Sequence, residues 1–118
     1  MDEKHREEFR GLLEAHREDV LRVRARGSED LSELANARSA ATADDEHDPE
    51  GATLSEEWSR IAGLDAEAAQ ELRAIDAASH RLAAGTYGIC ESCGKRIPVA
   101  RLRVRPTATM CVACASRV

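Results

Sequence analysis

Aromatic side chains are scarce in this 118-residue chain: Phe9, Trp58 and Tyr87 are all it has. Three rings cannot fill a thick globular core, and the apolar fraction leans heavily on alanine. That excludes a bulky single-core domain and leaves an elongated helical body, which needs only a narrow apolar seam. Long apolar runs are missing too. The opening MDEKHREEFR has no apolar segment, so no signal peptide is expected, and nothing approaches membrane-spanning length. The expected compartment is the cytoplasm, with no membrane partner, where thiols stay reduced. Cysteine is absent until residue 90, and the formal charge is −5.

What is there begins with a seam. Residues 1–38 contain no proline, and small or apolar residues recur at Phe9, Leu13, His16, Val20, Val23, Gly27, Leu31 and Leu34. Steps of three and four are close to a heptad pattern. The alternation returns at Leu54, Trp58, Ile61, Leu64 or Asp65, Ala68, Leu72, Ile75, Ala78 or Ser79, and Leu82. Thr53 and Glu56 form a capping box, although Asp48-Pro49 offers an earlier helix start. Gly85 supplies a left-handed stop. The fold class expected is mainly α: an antiparallel two-helix coiled-coil hairpin over residues 1–84, then a small module over 85–118. In that register Leu13 faces Ile75, Val23 faces Leu64 or Ala68, and Trp58 anchors the seam near its far end. Two arms of a larger bundle or of a homodimer are the other reading of the same stripes.

Positive charge is missing between the two stripes. SAATADDEHDPEG, residues 39–51, holds Asp44, Asp45, Glu46, Asp48 and Glu50 and neither lysine nor arginine. The hairpin therefore has an acidic tip over 39–52, whose crowded like charges do nothing for folding. His47 among them reads as a solvated loop histidine, and His5, His16 and His80 as surface or seam residues. Arg22, Arg24 and Arg26 read as a solvated helix face, with a partner contact as the sharper alternative.

All four cysteines fall in the last quarter, as two C-x-x-C pairs seventeen residues apart: Cys90, Cys93, Cys111 and Cys114. Two such turns supply four thiolates to one tetrahedral Zn2+ and leave no open position, which makes the metal structural rather than catalytic. An iron–sulfur cluster and a redox dithiol are the other uses of this spacing. A module of this size with one aromatic also needs a metal to fold. The intervening PVARLRVRPTATM alternates well enough for a short strand or an irregular return. Residues 85–118 carry six basic residues against Glu91. Such a patch suits phosphate or an acidic protein surface, but it lacks interleaved aromatics for base stacking. Direct sequence-specific DNA binding is not expected. No nucleophile or positioned base stands out elsewhere, so the chain does not read as an enzyme.

The module YGICESCGKRIPVARLRVRPTATMCVACAS resembles the zinc finger of the DksA/TraR family of bacterial transcription regulators. The Tyr-Gly-x-Cys-x-x-Cys-Gly entry, the Ile-Pro-x-x-Arg-Leu middle, the Arg-Pro-x-Ala turn and the closing Cys-x-x-Cys carry the likeness. The resemblance implies a regulator that binds RNA polymerase and inserts its coiled-coil tip through the secondary channel toward the catalytic magnesium. It also implies that the tip acts through aspartates spaced Asp-x-x-Asp-x-Ala. Asp45 and Asp48 match that pattern, Glu50 stands where the alanine falls, and Asp44 adds an acid. Longer members complete a guanosine tetraphosphate site with a helix after the last cysteine. This chain stops four residues beyond Cys114, so a full site of that kind is not expected. A nucleic-acid-binding zinc protein and a redox-sensitive zinc adaptor are the alternative function classes.

Overall fold

The computed structural model describes residues 1–41 and 49–117. Four helices follow in chain order: α1 (Glu3–Ala41), α2 (Pro49–Ala84), α3 (Val99–Val104) and α4 (Val112–Ala115). At ~1.5 Å per residue, α1 and α2 are each more than about 50 Å long. Asp2 starts α1, its carboxylate accepting from the His5 backbone N–H at 2.8 Å. This is N-cap chemistry, and the bond holds the Asp2 carboxyl below its usual range. Pro49 opens α2 at a position where its missing N–H costs nothing. The earlier start is thus the one used, and Thr53 lies inside the helix. Ser39–Ala41 extend α1 because nothing there breaks it and alanine favours helix.

The end of α2 is as the glycine predicts. Gly85 has φ +81. Its N–H reaches the Leu82 carbonyl at 3.4 Å, and the Thr86 N–H reaches the Arg81 carbonyl at 2.9 Å. These two bonds satisfy carbonyls that the last turn would leave open.

The chain divides into two compact units. One, Asp19–Glu71, contains the far halves of α1 and α2. Val20, Ile61 and Ala68 are buried there, and a Cβ built on Gly27 would stand 3.6 Å from Ile61 Cγ2. Arg24 reaches across to Asp65 at 2.9 Å. Val23 and Leu64 line one cavity together, yet both stay largely exposed. Trp58 is 40% exposed and does not anchor the seam. The register set by Gly27 against Ile61 and Arg24 against Asp65 brings Asp30 and the half-buried Leu31 to its level, and so narrow a seam does not enclose an indole.

The other unit joins Met1–Glu18 to Leu72–Val118. Phe9, Leu13, Ile75, Ala78, Leu102 and Tyr87 make its core, and Arg17 pairs with Asp76 between α1 and α2. Phe9 therefore serves the finger as well as the seam: its ring centroid lies 5.3 Å from that of Tyr87. The segment after Pro98 is a helix, not the short strand or irregular return that alternation suggested. Leu102 is fully buried while Val104, on the same face of a strand reading, is 87% exposed. A single inward residue flanked by arginines suits one and a half helical turns, with Pro98 in the N-cap position. No helix among the described residues is long and apolar enough to cross a membrane.

Candidate metal centre

The first C-x-x-C sits on a tight hairpin. Ile97 N–H bonds to the Gly88 carbonyl at 2.7 Å, Cys90 N–H to Lys95 at 2.8 Å, and Gly94 N–H to Cys90 at 2.9 Å. Ile89 and Arg96 form an antiparallel bridge across it. Gly88 at φ +81 and Gly94 at φ +75 take left-handed conformations that side chains resist. At Gly88 a Cβ would also press on Leu102 Cδ1 at 3.3 Å.

The second C-x-x-C is built differently. Cys111 is the N-cap residue of α4, with extended backbone (φ −69, ψ 164), and Cys114 lies one turn on inside that helix. The Glu91 N–H bonds to the Thr109 carbonyl at 2.9 Å and ties the two elements together. Arg101 Nε donates to the Met110 carbonyl at 2.9 Å, so α3 holds the backbone just before Cys111. The Tyr87 hydroxyl donates to the Pro106 carbonyl at 2.8 Å. Outside the finger, Glu8 on α1 accepts from Arg103 Nε at 2.8 Å and Nη2 at 3.2 Å. That pairing holds the Glu8 carboxyl below its usual range.

All four predicted cysteines meet. Their Sγ atoms lie within 4.8 Å of one another, with Cys93 and Cys111 at 3.9 Å. Four Zn–S bonds of about 2.3 Å at tetrahedral angles place sulfurs about 3.8 Å apart, so the cage fits one zinc ion. No disulfide joins any pair. Cys90 and Cys114 are buried and Cys93 is exposed, which leaves the cage at the surface of its unit but closed at its base. Backbone N–H groups of Cys93 and then Cys111 draw the Cys90 thiol down to about 6. The Cys111 and then Cys90 thiols push Cys114 up to about 12. Four thiolates in one cage therefore require a cation, and a divalent one supplies it. With every position filled by protein sulfur, the metal organises the fold and offers no reaction site.

Residues 85–118 match the model of the prokaryotic DksA/TraR C4-type zinc finger. The structure also superposes on transcription factor DksA2 from Pseudomonas aeruginosa with a TM-score of 0.83 and 29% identity, covering 98% of this chain and 84% of that one. The finger is of the DksA/TraR type, and the whole chain shares the fold of a DksA protein. Its finger is accordingly the C4 type with one structural Zn2+, and Cys90, Cys93, Cys111 and Cys114 are the four cysteines that cluster there. Curated relatives agree over shorter stretches. An uncharacterized protein of Aquifex aeolicus is 49% identical over 47 residues, which is 40% of this chain and 32% of that protein. The RNA polymerase-binding transcription factor DksA of Caulobacter vibrioides is 55% identical over 38 residues, 32% of this chain and 27% of that protein. The match thus spans about a third or less of the curated relatives.

The predicted tip residues Asp44, Asp45 and Asp48 lie outside the described residues. The supports of the DksA/TraR finger were not found by motif reading: Glu8, Phe9 and the helix α3. Phe9 carried a signal, being one of three rings in the chain, but its partner Tyr87 is 78 positions away in sequence.

Proposed function

We propose that this chain is a transcription regulator that binds RNA polymerase and acts on initiation. The observation that supports this best is likeness over nearly the whole chain to a DksA-type transcription factor, not over the finger alone. The RNA polymerase-binding factor of Caulobacter vibrioides supplies the partner. In this reading the cytoplasm is the site of action, and the zinc is scaffold. No reaction is assigned to the chain, no direct sequence-specific DNA contact is part of it, and a guanosine tetraphosphate response is not required.

The finer mechanism follows from placement in the sequence. Asp44, Asp45 and Asp48 fall between Ala41, where α1 ends, and Pro49, where α2 begins. Two helices each longer than about 50 Å can carry carboxylates deep into a channel that a globular domain cannot enter. Carboxylates delivered there would bear on a divalent cation or on the basic side chains around it. Entry by the secondary channel is the route proposed. Co-purification with core RNA polymerase, followed by crosslinking from positions 44–48, tests both levels. Capture with crosslinks at the polymerase active centre is the expected result. Failure to bind core enzyme, with salt-dependent binding to bare DNA instead, would replace this reading by a nucleic-acid-binding one.

A further inference from the structure

The unit Asp19–Glu71 carries a dent in its seam of about 140 Å³. Gly27 and Ile61 form its floor, and Val23 and Leu64 its walls. The glycine makes the dent, yet packing does not demand a glycine. A Cβ at this position would meet Ile61 Cγ2 at 3.6 Å, an ordinary contact. A glycine inside a long helix is destabilising relative to alanine, so α1 carries a weakness here with no steric reason for it. Val23 and Leu64 meanwhile present apolar walls to water, at 53% and 44% exposure. The volume is close to that of a cavity that admits a benzene ring, about 150 Å³.

The rim has its own chemistry. Arg24 is held by Asp65, and Arg60 by Glu57. Arg26 also lines the dent and makes no ion pair among the described residues. Three guanidinium groups and two carboxylates, Asp30 and Asp65, thus share the lining, with Asp65 on Arg24 and Asp30 acting on Arg60, on a hairpin that is otherwise strongly acidic. A free guanidinium beside an apolar socket complements a carboxylate beside an apolar side chain. A nucleic acid fits poorly, because the dent offers its bases no aromatic to stack on.

We propose that this dent is a socket for one apolar side chain of RNA polymerase, with a neighbouring carboxylate of the polymerase on Arg26. This rests on the function proposed above and adds to it a keyed contact on the hairpin flank. An anchor entering a preformed socket loses little freedom on binding and displaces water that the apolar walls hold weakly.

The test is a core-polymerase binding titration of the parent, Gly27→Leu, Gly27→Ala, Arg26→Gln and Val23→Ala, each beside a thermal melt. Leucine fills the socket from within and strengthens the seam. Gly27→Leu should therefore melt higher than the parent while binding at least about tenfold more weakly, or 1.4 kcal/mol. Gly27→Ala should also melt higher but bind within about threefold of the parent, since most of the socket stays open. Arg26→Gln should weaken binding without moving the melt. A folded Gly27→Leu that binds like the parent overturns the socket. So does a Gly27→Ala that loses as much as Gly27→Leu, which would make helix stiffness the cause. If Gly27→Leu fails to fold, unchanged binding by both Arg26→Gln and Val23→Ala overturns it equally. A parent that does not bind polymerase overturns the proposed function itself, and the parent titration reads that separately.

Discussion

The Tyr87 hydroxyl donates to the Pro106 carbonyl at 2.8 Å, fastening the chain just ahead of Cys90 to the turn that leads into the second cysteine pair. Tyr87 is buried, and that burial pushes its phenol up to about 12. Tyr87→Phe keeps the ring against Phe9 but leaves the Pro106 carbonyl without its donor. The expected loss is about 1–2 kcal/mol of finger stability, read by calorimetry of the zinc-loaded chain, with zinc stoichiometry unchanged. The pH sign follows from the raised value. The neutral phenol is the form that the fold favours, so its contribution is complete below the unfolded value near 10 and is lost as pH rises toward about 12. The gap between parent and Tyr87→Phe should narrow over that window. A gap that persists unchanged through that window would mean that burial does not hold the phenol neutral, and no gap at any pH would mean that the hydroxyl contributes nothing.

Zinc should be inseparable from the finger and separable from the long helices. Metal analysis is expected to give one zinc per chain, because the four sulfurs complete one tetrahedron. Cys93→Ser or Cys111→Ser, or chelation of the parent, should unfold α3 and α4, since metal binding supplies that module's folding free energy. Circular dichroism should keep most of its helical signal, which comes from α1 and α2. Two zincs, or a finger that stays protected from proteolysis after chelation, would contradict the site.

Phe9 tests the contact between α1 and the finger. It is fully buried, stacks toward His5 at 6.4 Å and meets Tyr87 at 5.3 Å. Phe9→Ala should cost about 3–5 kcal/mol, with the cavity opening beside Tyr87. A double-mutant cycle with Tyr87→Leu should return a coupling of about 0.5–1.5 kcal/mol, the part owed to the ring pair. Additive losses would show that the two rings are merely buried near each other.

How much of this was legible without coordinates depends on the range of the interaction. The α1 and α2 stripes, the Gly85 stop and the cysteine cage are local patterns, each carried by spacing or by one residue's backbone freedom. The helix α3 was not legible, because six residues alternating apolar and basic fit a strand as well as a helix until Leu102 is known to be the buried one. Trp58 misled for a related reason. A large apolar residue at a seam position is buried only where the facing helix encloses it, and spacing along one helix does not report that. Glu8 with Arg103 and Phe9 with Tyr87 join the first helix to the last module, and no short-range pattern announces such contacts.

The acidic segment should separate regulation from folding. Asp44, Asp45 and Asp48 lie outside both apolar stripes, so asparagine at all three should leave zinc content and helicity as they are. Stability should move by no more than about 0.5 kcal/mol, the range of surface substitutions, and upward if like charges are being relieved. Binding to core polymerase should largely survive, because the helix flanks and the finger would supply most of the contact area. The effect on initiation should be lost, if these carboxylates act beside the catalytic magnesium. A multiround transcription assay on a promoter with short-lived open complexes, run beside a binding titration, reads the two properties separately. A neutral variant that regulates as well as the parent would reduce the acids to solvated residues. One that loses binding and regulation together would make them an affinity element, and the chain an adaptor that docks its acidic end on a basic surface.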